Sequence, residues 1–362
     1  FSGAIIADIG VLIIPLMLGS IISVYEMEEG AVGFIISAEL ACMSLVAVFV
    51  SPFVHKIDRR LLGVLGALMI ITGNLMSASG SSATLLLISR AIAGLGAGAA
   101  LSASTAAAAE QGSPERVFAA IFALGTVFAM TMYSLLPPFI EQYGPQTIFY
   151  TIAISAGLAG LMMTQLPPRK VQGVSREDRE PESSKIPIFT VTSAALLGAY
   201  FCFQIAVNGS FFYIERIGDA IGMTLDEIGE ALAFSSFAML LGSLFPLAVG
   251  ERLGRIGPLI FAVVVNAISI WFLTHTDSAV VYLIALSVSG AMLTIGATFF
   301  LGLSSALVTG GRLASAARGA AAFGSRTAPT ISGLLLLSGG DYRSIGWAGV
   351  GISVVAILFL FK

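Results

Sequence analysis

The sequence predicts an all-α membrane protein in which twelve transmembrane helices form two pseudo-symmetric six-helix bundles. Three observations carry this. The 362 residues are 57% hydrophobic and 11% charged, with mean hydropathy +0.95, under half the usual quarter of charged residues in a soluble domain. Polar punctuation divides the chain into twelve apolar stretches of about the 20 residues needed to cross a hydrocarbon core roughly 30 Å thick. One long polar interruption then separates six stretches from six.

In order, the first six spans are Ala4–Tyr25, Ala31–Phe53, Leu61–Ala78, Ala83–Ala109, Val117–Ile140 and Thr147–Leu166. Each is read as a helix because only helices and closed barrels satisfy every backbone group where no water is available. Residues 167–187 follow, a mixed-charge stretch containing Arg-Glu-Asp-Arg-Glu-Pro-Glu-Ser-Ser-Lys, too polar to pack as core. They are expected to link an N-terminal bundle, residues 1–166, to a C-terminal one, residues 188–362. The second half holds Ile188–Ile214, Ile228–Val249, Pro258–Leu273, Ser278–Leu307, Leu313–Leu337 and Ile345–Phe361. Phe1 lies inside an apolar stretch with no initiating Met, so residues are expected to precede it.

An even number of spans puts both termini on one side, and the bias of Lys and Arg decides which. Of 18 basic residues, Arg90 and Arg326 fall deep within spans and Arg216 and Arg343 on the side away from the termini, leaving fourteen on the terminal side, with Arg318 near the terminal-side end of the eleventh span counted among them. Both termini are therefore expected in the cytoplasm, with the protein multi-pass in a cell membrane, the bacterial inner membrane being the expected setting. A net charge of −3 without a basic block argues against nucleic acid as a partner. Cys42 and Cys202 sit in apolar runs, and His55 and His275 lie at span ends, so neither a metal constellation nor a buried nucleophile–base pair is expected. An enzyme is not expected. No phosphate-binding G-x-x-x-x-G-K-[ST] loop occurs, so an ATP-driven pump is not expected and ion or solute gradients are left as the energy source; no cofactor is expected.

The halves repeat. Asp58-Arg59-Arg60 follows the second span, and Glu251-Arg252-Leu253-Gly254-Arg255 follows the eighth, 193 residues later. That offset also lays Pro137 and Pro138 within two residues of Pro329. Over essentially its whole length the chain resembles the major facilitator superfamily, whose loop signature of acid, Arg, any residue, Gly and Arg is matched best by the second copy. A helix-four signature, Arg followed by small residues, is matched by Arg90-Ala-Ile-Ala-Gly94-Leu-Gly96-Ala-Gly98. The resemblance implies two bundles that alternate access to a midplane site. It further implies that Asp58, Arg59, Glu251 and Arg252 act in gating charge pairs, although as solvated loop charges they would contribute little.

Ionisable residues at membrane depth cost about 2.5–3.5 kcal/mol each on insertion scales and are functional candidates by default. Asp8 in the first span and Glu39 in the second are candidate proton-coupling groups. The plainer reading of Asp8 is a solvated helix end, and that of Glu39 a structural ion pair. Arg90 either binds an anionic solute, answers the protonation of a nearby carboxylate, or is fixed in a structural pair. Arg326, one turn before Pro329, is the sharpest substrate candidate, because a proline frees carbonyls chiefly where a helix lines a cavity. The 193-residue offset places Tyr133 at the equivalent position. Tyr200, Gln204 and Asn208 recur at i, i+4 on the seventh span and so share a face, either toward the cavity or in interhelical hydrogen bonds. Gly94 and Gly98 read as a close-packing pair.

Two basic groups at depth favour an organic anion as solute. Driving one negative charge into a cell held 100 mV inside-negative costs about 2.3 kcal/mol, which a co-transported proton cancels. Proton-coupled symport of a small organic anion, by a protein acting as a monomer, is the expectation. Its rival is proton-coupled efflux of amphipathic compounds or drugs. Within the fifth span, the stretch Gly125 to Pro138 lacks the Gly, three residues, Gly-Pro, two residues, Gly-Gly signature usual in the drug-exporting branch.

Overall fold

In a computed structural model, residues 10–50, 57–80, 82–109, 114–165, 190–249, 254, 256–307 and 312–361 are described. Asp8, Glu251, Arg252 and the whole expected linker, 167–187, lie outside the described residues. Among the described residues there is no strand. Helices of the first half are α1 (Ile14–Tyr25), α2 (Glu29–Val50), α3 (Arg59–Ala78), α4 (Ala83–Ala109), α5 (Pro114–Tyr143) and α6 (Thr147–Met163). They continue as α7 (Val191–Phe211), α8 (Ile214–Ala220), α9 (Leu225–Val249), α10 (Ile256–His275), α11 (Ala279–Leu307), α12 (Arg312–Leu337) and α13 (Tyr342–Leu360).

Every expected span thus meets a helix, with two refinements. Nine helices among the described residues are long and apolar enough to cross a membrane. α1 and α6 are shorter apolar helices, and α12 is diluted by Arg312, Arg318 and Arg326. The exact count of twelve spans therefore does not follow from length and hydropathy alone. The second refinement is α8, a seven-residue helix that starts at the expected end of the seventh span, Ile214, and runs into what the sequence suggests is a loop. The chain breaks there: after α7 ends at Phe211, Phe212 and Tyr213 form a turn and a new helix begins.

Local chemistry explains the helix starts. Asp58 caps α3, its carboxylate accepting the Arg60 N–H at 2.8 Å, and Asp341 does the same for α13 through the Ser344 N–H at 3.0 Å. Ahead of α9, Thr224 and Glu227 form a reciprocal capping box: the Glu227 carboxylate accepts the Thr224 N–H at 2.8 Å and the Thr224 hydroxyl accepts the Glu227 N–H at 3.3 Å.

The contacts divide the chain into two compact units, residues 1–169 with 212–233, and residues 170–211 with 234–362. In the first unit α4 packs on α2 and α3, and α3 on α6. Glycine makes this close: a Cβ at Gly94 or Gly98 would overlap the α2 carbonyl oxygen of Glu39 or Met43, and one at Gly96 would press on the carbonyl of Gly66 in α3. The close-packing reading of Gly94 and Gly98 is what the backbone realises. In the second unit α7 packs on α12 and α13, and α10 on α11, around Tyr200, Phe203, Val263, Phe299 and Phe300. Outward faces are apolar too, as Leu61, Leu65, Leu68 and Leu75 of α3 and Ile154, Leu158 and Leu161 of α6 are each about half exposed or more. That inversion of soluble-protein surface chemistry suits a lipid solvent.

Candidate functional site

The first unit buries an arginine. Arg90 is 1% exposed, and an unpaired guanidinium at such depth is untenable, so its partners are the first question. Its Nε donates to the Ser77 hydroxyl at 3.0 Å and its Nη2 to the Asn74 side-chain oxygen at 3.0 Å, both on α3. The Nη1 lies 3.4 Å from the Met17 sulfur of α1 and 3.6 Å from Glu39 Oε1 of α2. The guanidinium carbon sits 5.4 Å from the centre of the Phe149 ring of α6, a cation–π distance. Five helices of one unit therefore converge on this cation. Ser77 and Ser89 share a further hydrogen bond at 2.7 Å, which fixes the acceptor that Arg90 uses.

Glu39 occupies the middle of α2, as its position in the sequence implies. One of its oxygens faces Arg90 and the other, Oε2, is buried without a hydrogen-bond partner among the described residues. Beside it is a cavity lined by Gly10, Ile14, Glu39, Asn74, Arg90 and Gly94, among others, with about 20 Å³ open to water centres. A single water needs about 10–15 Å³ by this measure. The site therefore holds a fixed cation, a carboxylate with one free oxygen and room for water within reach of both.

The sequence singled out Arg90 and Glu39 and the structure brings them together. It did not single out Asn74, Ser77, Met17 or Phe149. A signal for Asn74 was available: the chain has three asparagines, Asn74, Asn208 and Asn266, all within apolar spans. Asn266 of α10 makes a similar bridge in the second unit, accepting from Ser289 of α11 at 2.8 Å.

The remaining candidates are placed as follows. Tyr133 of α5 is buried, and its hydroxyl donates to the carbonyl oxygen of Leu12; its backbone carbonyl and Pro137 are met closely by Gly229. In the second unit Tyr200 stacks on Phe300 with ring centres 4.5 Å apart, inside the apolar core. Asn208 donates back to the Gln204 carbonyl at 2.8 Å within α7. The side-chain oxygen of Gln204 is buried without a hydrogen-bond partner among the described residues, and its Cβ lies 3.1 Å from where a Cβ would stand at Gly324 of α12. The stripe on α7 is thus split between the core and a close crossing with α12. Arg326 is half-buried on α12, two residues past that crossing and one turn before Pro329. Asp58 is exposed and caps α3, while Arg59 is buried. Among the described residues no cluster of His, Cys, Asp and Glu suits a metal ion.

Comparison with known proteins bears on the fold. The fold matches the D-xylose–proton symporter with TM-score 0.76 at 16% identity, covering 100% of this chain and 95% of that one. It matches the nucleoside transporter NupG with TM-score 0.74 at 14% identity, covering 100% and 97%. No curated protein sequence matches the chain. The family model described as Major Facilitator Superfamily matches residues 1–310. With a buried arginine held by five helices, an apolar exterior and this family match over most of its length, the chain is a multi-pass membrane transporter, not an enzyme, and belongs to the Major Facilitator Superfamily.

Proposed function

We propose that the protein is a secondary active transporter that takes up a small organic anion together with a proton. The observation that carries the reading is the buried pair of Glu39 and Arg90 beside a water-sized cavity. Arg90 already spends its donors on Ser77, Asn74, Met17 and Glu39, which supports a role as the fixed counter-charge of Glu39 over one as the solute's ligand. Glu39 then carries the coupled proton: ionised it is attracted to Arg90, and protonated it releases that attraction and is free to repack. Arg326 on α12, and Gln204 and Asn208 on α7, which packs against α12, are assigned to the anion. Tyr133 and Tyr200 are each assigned to the solute pathway of their own half, and Asp8 is a second proton acceptor. Asp58, Arg59, Glu251 and Arg252 gate the cytoplasmic side, where the excess of Lys and Arg places both termini. The halves 1–166 and 188–362, joined by 167–187, supply the alternating access, in a cell membrane and as a monomer.

The test is uptake of organic anions into proteoliposomes under an imposed pH gradient, with Arg326→Ala and Glu39→Gln beside the parent. The reading requires that Glu39→Gln uncouple uptake from the gradient and that Arg326→Ala abolish recognition. Unchanged anion flux in both variants refutes the site assignment, and gradient-driven extrusion of amphipathic cations by the parent refutes the direction and solute class.

A further inference from the structure

A second buried carboxylate lies outside this pocket. Glu215 on α8 is 7% exposed, and its Oε2 has no hydrogen-bond partner among the described residues. It lies in the first unit, to which residues 212–233 belong, and its carboxyl rests directly over Gly19 of α1, where any Cβ would overlap it. The charged groups around it are Glu29 from α2 and Arg216 and Asp219 from α8 itself; α1 presents the uncharged Gly19. Arg216 is committed elsewhere: its Nε is 3.0 Å from Glu29 Oε1 and its Nη1 3.1 Å from Asp219 Oδ2, against 4.0 Å to Glu215 Oε1. One cation thus faces three carboxylates, and the one with the poorest share is the one most removed from water.

We infer that Glu215 is a proton-binding site, and that a proton on its carboxyl fastens α8 over Gly19 and so holds segment 212–233 in the first unit. The inference goes beyond the solute pathway and stands whether or not Glu39 carries the coupled proton. A neutral carboxyl tolerates a dry seat against a backbone; an ionised one with an orphan oxygen does not. Burial is the main cause that pushes the Glu215 carboxyl up to about 7, with Asp219 and Glu29 adding to it and Arg216 opposing. The sign follows from linkage. The docked form binds the proton more tightly than an undocked one, whose carboxyl titrates near the ordinary 4.5. Docking is firmest below about 4.5, weakens about tenfold per pH unit as pH rises toward 7, and levels off above.

The experiment uses the purified full chain with Cys42 and Cys202 replaced by Ala and one reporter, Met223→Cys, at a buried position of the same segment. Thiol labelling is read at pH 5 and pH 8 relative to an exposed Asp226→Cys control, which removes the intrinsic pH dependence of the reagent. The inference expects relative labelling to rise at least about tenfold between these values, and to stay at the pH 5 level at both when Glu215→Gln is added. Gly19→Ala, which fills the seat, is expected to label at the pH 8 rate throughout. The same pH response in the Glu215→Gln protein as in the parent, no response in the parent, or slow labelling of the Gly19→Ala protein at pH 5 would each overturn it.

Discussion

Glu39 Oε1 and Arg90 Nη1 stand 3.6 Å apart between α2 and α4, and the two partners are not equally dependent on each other. Arg90 retains Ser77, Asn74, Met17 and the Phe149 ring if Glu39 is neutralised. Among the described residues Glu39 has only its pairing with Arg90, since its other oxygen has no hydrogen-bond partner there.

That asymmetry sets the first prediction. Arg90→Ala, which strands a buried carboxylate and orphans Asn74 and Ser77, should cost about 3–5 kcal/mol, whereas Glu39→Gln should cost about 1–2 kcal/mol. Thermal unfolding of the purified variants measures both. Equal losses would mean that the pair is held by groups other than these.

The approach of α4 to α2 requires glycine at two positions. Gly94→Ala and Gly98→Ala should each destabilise by about 1–3 kcal/mol, since the added methyl meets backbone oxygen that cannot rotate away. Gly351→Ala in α13, where nothing lies within 4 Å, is the matched control and should be close to neutral. Comparison of the three melting temperatures decides it.

For Arg326 the distinction is between charge and geometry. Arg326→Lys keeps the cation but loses the planar fork that pairs bidentately with carboxylate or phosphate. It should retain a measurable fraction of anion uptake with KM raised roughly tenfold, an affinity loss of about 1.4 kcal/mol. Arg326→Ala should show none, and in the Arg326→Lys protein competition by neutral analogues should be unaffected.

Asp58 combines a cap with a charge, and the two separate by substitution. Asp58→Asn preserves the acceptor for the Arg60 N–H and should leave stability unchanged, while Asp58→Ala should cost about 1 kcal/mol. If the charge gates, both variants should slow transport several-fold; if Asp58 only caps, Asp58→Asn should transport normally.

Much of this molecule is set by local chemistry. Apolar runs of membrane length fix where the helices lie, because a lipid solvent leaves the backbone no other way to satisfy itself, and the capping residues Asp58, Thr224 and Asp341 mark helix starts with side chains adjacent in sequence. Arg90 and Glu39 were likewise legible, since a charge among apolar neighbours is conspicuous whatever it touches. Their partners were not. Met17, Asn74, Ser77 and Phe149 come from three other helices and look ordinary in their own spans. Which of them meets the guanidinium depends on rotation and register set by the glycine contacts of α4. The same holds for Glu215. By sequence it is one of several loop carboxylates, and only the turn at Phe212 and Tyr213, which carries α8 onto Gly19, removes it from water. Solvent chooses which segments become helices and which residues are costly inside them; packing chooses their neighbours, because close contact between distant segments is a property of the assembled chain and of no single stretch of it.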